Sequence, residues 1–108
     1  MIKINVEPGV ISAVYAWCDW LRYERRATNN TIVSYSRDLE KFLIFLTGHL
    51  GYPPGLRDLA EMTLLDFRSY LASRNTAGLS RTSTARAVSA LKAFFRFIER
   101  RGLASNNA

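Results

Sequence analysis

Apolar residues recur along most of the chain at the three- and four-residue spacing of α-helices, and no segment shows the strict alternation of a strand. The first such segment begins just after Pro8-Gly9, a helix-start signal, and ends in the charged run Arg22–Arg26. This pattern predicts the first helix. Its apolar stripe consists of Val10, Val14, Trp17 and Leu21.

A second amphipathic segment follows Thr28-Asn29-Asn30, a cluster of good N-cap residues. It extends to Gly48 or Gly51, where Tyr52-Pro53-Pro54-Gly55 breaks the helical pattern and predicts a connector. The sequence therefore predicts a long second helix. Its apolar face consists of Ile32, Tyr35, Leu39, Phe42 and Leu46.

A third, shorter helix is predicted to start at Thr63, because Thr63 and Asp66 have the spacing of a capping box. Residues Asn75 to Gly78 are predicted to form a loop after it. The inner face of this helix consists of Leu64, Phe67, Tyr70 and Leu71.

The fourth predicted helix begins with Ser80 as its N-cap and extends to about Arg101. Gly102 is suited to the left-handed position that ends many helices. Together the four segments predict an all-α bundle of four helices.

Length and composition limit what this bundle can be. With 108 residues the chain fits one domain, and its apolar runs are far shorter than the ~20 residues of a membrane span. No leader peptide opens it, so an intracellular protein is expected. One cysteine, Cys18, excludes an internal disulfide and fits a small buried hydrophobe, and with His49 it cannot complete a zinc site.

The net charge of +6 is confined to the last third of the chain. Residues 1–73 carry eight basic and eight acidic side chains, whereas residues 74–108 carry seven basic side chains and one acid, Glu99. An asymmetry of this kind is typical of a surface that faces a polyanion, most often nucleic acid.

Much of that charge lies on one side of the fourth predicted helix, opposite an apolar side. The apolar side consists of Thr84, Val88, Leu91, Phe95 and Ile98, flanked by Phe94. The basic side consists of Thr82, Arg86, Ser89, Lys92, Arg96 and Arg100. It contains no carboxylate of its own helix, so its like charges repel one another, and a phosphate backbone would relieve that repulsion. The simpler interpretation is an ordinary solvated basic face.

Short polar side chains at two helix starts strengthen the nucleic-acid interpretation. Ser80, Arg81, Thr82 and Ser83 open the fourth predicted helix and are suited to phosphate contacts. The second predicted helix carries Thr31, Ser34, Arg37 and Lys41 opposite its apolar stripe, but Asp38 and Glu40 make that face mixed. The aromatic residues are expected in the core, with Phe97 nearest the polar edge.

Three motifs in this order resemble the N-terminal domain of tyrosine recombinases, most closely the Xer and phage-integrase type, over about residues 10–104. The segment similar to the family's second helix is Thr28-x-x-Thr31-x-x-x-Tyr35-x-x-Asp38-Leu39-x-x-Phe42-x-x-Phe45-Leu46. The segment similar to its third helix is Met62-Thr63-x-x-Asp66-Phe67-x-x-Tyr70-Leu71. The segment similar to its fourth is Ser80-x-x-Ser83-x-x-Arg86-x-x-Ser89-Ala90-Leu91-Lys92-x-Phe94-Phe95-x-Phe97.

The resemblance implies a SAM-like core-binding domain, a four-helix orthogonal bundle that forms half of a C-shaped clamp around double-stranded DNA. The second and fourth helices would lie in adjacent grooves at the recombination core site. The contacts implied on the second helix are Thr28, Asn30, Thr31, Ser34, Arg37 and Lys41. Those on the fourth are Ser80, Arg81, Thr82, Ser83, Arg86, Ser89 and Lys92, to which the basic side adds Arg96.

The sequence departs from the family pattern in two respects, its catalytic residues and the motif that follows the fourth helix. The family's catalytic arginines, His/Lys residues and tyrosine nucleophile lie in a further domain, and no His-x-x-Arg can be placed because Tyr52 follows His49 at that spacing. Asn106-Asn107 stands where the family commonly has Asn-Pro.

Residues 1–108 are therefore expected to be a single DNA-binding domain excised from a longer cytoplasmic recombinase. It should lack catalysis, cofactor, metal, membrane contact and small-molecule substrate, and its partners should be DNA and neighbouring protomers of a tetrameric synapse. An alternative is a helical protein-interaction module whose basic face docks an acidic partner. An autonomous enzyme is disfavoured, since no nucleophile–base or carboxylate pair stands out.

Overall fold

The computed structural model describes residues 5–108, and five α-helices without a strand make up the fold over that range. The all-α prediction is confirmed. The first two predicted helices are α1 and α2, and the third and fourth predicted helices are α4 and α5. The helices are α1 (Pro8–Tyr23), α2 (Asn29–Leu50), α3 (Leu56–Glu61), α4 (Leu64–Thr76) and α5 (Arg81–Arg100).

The prediction of four helices was wrong, because the short helix α3 follows the connector at Tyr52–Gly55. The Asp58 carboxylate accepts a hydrogen bond from the Gly55 amide at 2.8 Å and so caps the start of α3. The side-chain amide of Asn106 donates to the carbonyl oxygens of Leu59 and Met62 at its other end, at 2.7 and 2.9 Å. Leu59 is fully buried. Hydrogen bonds from Asn106, far along the chain, therefore stabilise a helix that is too short to show a periodic pattern of apolar residues.

The predicted helix starts are confirmed at three residues. The hydroxyls of Thr28, Thr63 and Ser80 each accept a hydrogen bond from the amide three residues later, as N-caps do. The predicted loop at Asn75–Gly78 begins too early, because α4 continues through Thr76. Gly78 then reverses the chain with a φ of 79°, a conformation that costs glycine little.

The core lies between α2 and α5, with α1 packed against both and α4 against α2. The indole of Trp17 meets the ring of Phe94 edge-on at 5.4 Å, which joins α1 to α5. Phe97 was predicted near the polar edge of α5 but is 3% exposed, because the buried face of that helix is shifted toward Ala90 and Phe97. The aromatic residues are thus mainly core, as expected.

Burial raises the pKa of the Cys18 thiol, which lies 9% exposed between α1 and α2. A raised pKa leaves less thiolate, the reactive form. We therefore expect Cys18 in the folded domain to react with an aromatic disulfide reagent at least about tenfold more slowly than in the urea-unfolded chain at the same mildly alkaline pH. Equal rates in the two states would contradict the burial of this thiol.

No helix within residues 5–108 is long and apolar enough to cross a membrane.

Candidate nucleic-acid interface

The solvent-facing side of α5 carries most of the residues that the sequence singled out. The core-facing side buries Ala87, Ala90 and Phe94, and this rotation of the helix turns the polar stripe outward. The stripe members are exposed: Ser80, Arg81, Thr82, Arg86, Ser89, Lys92, Arg96 and Arg100. Among the described residues, no carboxylate lies within ion-pairing distance of Lys92, Arg96 or Arg100. These three cations therefore face solvent without a counter-charge.

Arg86 differs from its neighbours, because α2 provides it with a carboxylate. Its Nε and Nη2 donate to the two oxygens of Asp38 at 2.9 and 3.1 Å. The Asp38 side chain is 1% exposed, while that of Arg86 is 49% exposed. The hydrogen bond and the charge of Asp38 raise the pKa of Arg86. The stripe thus includes one arginine whose position is fixed by a buried acid.

The side-on pairing uses only one edge of the Arg86 guanidinium. Its Nη1 makes no hydrogen bond to any other described residue. An arginine has five N–H donors in a planar fork, so the outer edge stays able to donate to a phosphate or to a base edge. Asp38 therefore orients Arg86 without consuming its capacity to bind.

The start of α5 is built on a buried arginine from α4. Arg74 is 3% exposed, and its Nε and Nη2 donate to the hydroxyls of Thr84 and Ser83, both at 3.1 Å. Its Nη1 lies 3.4 Å from the hydroxyl of Tyr70. Arg74 is one of the seven basic side chains of residues 74–108 that the sequence assigned to a polyanion-facing surface. For Arg74 that prediction was wrong, because its side chain is buried. Ser83, a predicted contact, has its hydroxyl engaged inward.

The predicted residues of α2 do not all share one side. Arg37 lines a groove between α1 and α2 together with Asp19, Arg22 and Glu40, a surface of mixed charge. Thr31 and Ser34 lie on the side of α2 that Asp38 shares and are partly buried. Thr28, Asn30 and Lys41 are exposed. The structure thus separates Arg37 from the α5 stripe.

His49 connects the end of α2 to the start of α4. Its Nε2 lies 2.9 Å from Oδ1 of Asp66, the residue that also caps α4 through the Thr63 amide. The Thr63 amide and His49 lower the pKa of Asp66. His49 therefore links α2 to α4 in this fold. No group of three or more His, Cys, Asp or Glu residues able to hold a metal occurs among the described residues.

A family model and similar curated proteins point to the same family. The model of the phage integrase N-terminal SAM-like domain matches residues 14–102. Tyrosine recombinase XerC of Rhodospirillum centenum is 41% identical over 102 residues, which cover 94% of this chain and 30% of that protein. XerC of Mesorhizobium japonicum is 39% identical over 100 residues, covering 93% and 32%.

No solved structure matches the chain significantly. The chain spans about a third of the length of the curated relatives it matches. The family match covers most of the chain, including α2, α4 and α5 in full. The chain therefore belongs to the phage integrase N-terminal SAM-like domain family, as found in tyrosine recombinases.

Proposed function

We propose that this domain binds duplex DNA at a recombination core site through the exposed side of α5, with the start of α2 beside it, and that it performs no catalysis itself. The observation that carries the proposal is the row of exposed cations Lys92, Arg96 and Arg100 on one helix face, none of which pairs with a carboxylate of residues 5–108. These residues are four apart and repel one another in the free protein. Phosphates would remove that repulsion and release their own counterions.

The start of α5 supports the same proposal. Ser80, Arg81 and Thr82 are exposed at a helix N-terminus, where backbone amides and the helix dipole favour an anion. Arg74 lies directly beneath this turn and adds a positive charge with only hydroxyl groups as acceptors. A backbone phosphate beside the first turn would therefore be stabilised from two sides.

On α2, Thr28, Asn30, Thr31, Ser34 and Lys41 are the proposed contacts. Their hydroxyl, amide and ammonium groups can donate to phosphate oxygens, and such contacts fix the orientation of a protein on the duplex. Arg37 belongs to the mixed-charge groove, so we assign it the weakest contribution in this set.

The proposal extends to the longer protein of which this chain would be a domain. Relatives named tyrosine recombinase are about three times as long as the match. We infer that strand cleavage would belong to residues beyond this domain, and that neighbouring protomers would join it in a tetrameric synapse on paired sites.

We expect Lys92→Gln and Arg96→Gln each to weaken binding to a short mixed-sequence duplex and to lower the slope of log affinity against log salt by about 1. The reason is that each variant removes one phosphate-facing charge. Fluorescence anisotropy over a range of salt concentrations measures both effects.

The matched control is Arg57→Gln, which also removes one positive charge but lies on α3 in an exposed pair with Glu61. It should leave the slope unchanged. If the domain bound duplex without any dependence on salt, or not at all, the proposal would be overturned in favour of a protein-interaction module with an acidic partner.

A further inference from the structure

A cleft of about 330 Å³ opens between the ends of α1 and α5 and the first turns of α2. Arg25, Arg96, Arg100 and Arg101 line it, and none of the acidic residues in the described part of the chain does. Its apolar wall consists of Trp20, Leu21, Tyr35, Ala93 and Phe97. We call this site the arginine cleft. Arg96 and Arg100 belong to the basic side of α5 that the sequence predicted, whereas Arg25 and Arg101 do not.

Two of these guanidinium groups lie over aromatic rings of the cleft. The guanidinium carbon of Arg101 lies 4.7 Å from the ring centre of Phe97, and that of Arg25 lies 5.6 Å from the ring of Trp20. The two rings are themselves 5.6 Å apart. Stacking uses the flat face of a guanidinium and leaves its N–H edges available for a planar or tetrahedral oxyanion. Both arginines therefore lie against the aromatic wall with N–H groups that can donate to an anion in the cleft.

The charge in the cleft exceeds what the protein itself offsets. Helices α1 and α5 both end here, and each helix end provides about half a negative charge. Two helix ends thus offset about one of the four positive charges. The nearest acids in sequence do not line the cleft, and Glu99 accepts a hydrogen bond from Ser105 instead. A large positive charge therefore remains for an anionic ligand.

The position of the arginine cleft indicates which anion it takes. Arg96 and Arg100 belong both to its wall and to the exposed row on α5, so the cleft continues that row. We propose that the arginine cleft holds a backbone phosphate of the bound DNA, beyond the stretch that the rest of α5 contacts, and that Arg25 thereby brings α1 into the DNA interface. This inference rests on the proposed function and assigns it a further phosphate site.

The test uses Arg25→Gln and Arg101→Gln in duplex titrations over a range of salt concentrations. Each should lower the salt slope by about 1 and weaken binding by a similar factor for every duplex sequence, as expected for a contact to phosphate. Both side chains are exposed, so the melting temperature should stay at that of the unaltered domain. Arg57→Gln again provides the control for the loss of one charge.

A second measurement locates the phosphate. The chain has two tryptophans: Trp20 lines the cleft, whereas Trp17 is fully buried in the core. On addition of duplex, the indole N–H signal of Trp20 should shift and that of Trp17 should not. The Trp20 shift should be lost in Arg25→Gln.

The outcomes separate this inference from the proposed function. If Lys92→Gln lowered the salt slope while Arg25→Gln and Arg101→Gln did not, the cleft would be overturned and DNA binding through α5 would stand. If duplex shifted neither indole signal and showed no salt-dependent binding, both this inference and the proposed function would be overturned. A Trp20 shift that inorganic phosphate causes and duplex does not would identify a site for a free anion and would overturn the cleft as a DNA contact.

Discussion

We expect Arg86→Ala to lower both the stability of the domain and its affinity for duplex DNA. The reason lies in Asp38, whose side chain is 1% exposed and has both oxygens bound to Arg86. Truncation of one partner leaves the other charge buried without compensation, which is among the more costly changes a mutation can make. Because Arg86 is half exposed, water can reach part of the vacated space. We therefore expect Tm to fall by roughly 10 °C.

A second substitution separates the two effects of Arg86. In the double variant Asp38→Asn with Arg86→Ala, the buried group is neutral, so most of the lost Tm should return. Affinity for duplex DNA should stay low, because the outward edge of the guanidinium is still missing. Calorimetry and anisotropy on the single and double variants measure the two quantities independently.

Arg86→Lys is the conservative comparison. It keeps the positive charge but cannot reproduce the bidentate pairing with Asp38. We expect it to keep more of the stability than Arg86→Ala and still to bind DNA less tightly than the unaltered domain. If Arg86→Ala melted like the unaltered domain, the pairing with Asp38 would contribute nothing to the fold. If it also bound duplex normally, Arg86 would not belong to the interface.

The features that the sequence predicted well are local. The hydroxyls of Thr28, Thr63 and Ser80 cap amides three residues away, so a short window of sequence contains both partners of each hydrogen bond. The exposed row at Lys92, Arg96 and Arg100 follows in the same way from the period of one helix. Local patterns of this kind depend little on how the helices pack together.

The features that the sequence missed depend on packing. Asp38 and Arg86 are 48 positions apart, and on its own helix Asp38 is one polar residue near Glu40. Only the crossing of α2 and α5 shows that Asp38 is buried and that it supplies the stripe with a carboxylate. The burial of Arg74 depends in the same way on hydroxyl groups from the following helix. The arginine cleft combines three helices, so no single segment indicates it.

The short helix α3 was missed for a related reason. It has six residues, fewer than two turns, and one fully buried side chain, Leu59. Such a segment contains too few apolar positions to establish a period. Its stability comes from Asp58 at one end and from Asn106 at the other, and Asn106 lies more than forty residues away.

Phe42→Ala should destabilise the domain by about 3–5 kcal/mol, a large part of the 5–15 kcal/mol that holds a typical domain together. Phe42 is fully buried, and its ring lies 5.1 Å from that of Tyr70 on α4 and 6.3 Å from that of Phe95 on α5. Removing it leaves a cavity at the point where α2, α4 and α5 meet. The urea concentration at the midpoint of unfolding should fall, while the slope of the unfolding free energy against urea concentration should stay constant.

Ile44→Ala is the matched control, because Ile44 lies on the same helix and is 55% exposed. That change should stay within about 0.5 kcal/mol of the unaltered domain. Phe42 contributes no charge to the interface, so at temperatures where Phe42→Ala remains folded its salt slope for duplex binding should be unchanged. A destabilisation no larger than that of Ile44→Ala would contradict the packing of the three helices. A reduced salt slope in the folded variant would instead mean that the core sets the position of the cations on α5, because Phe42 reaches that helix through Phe95.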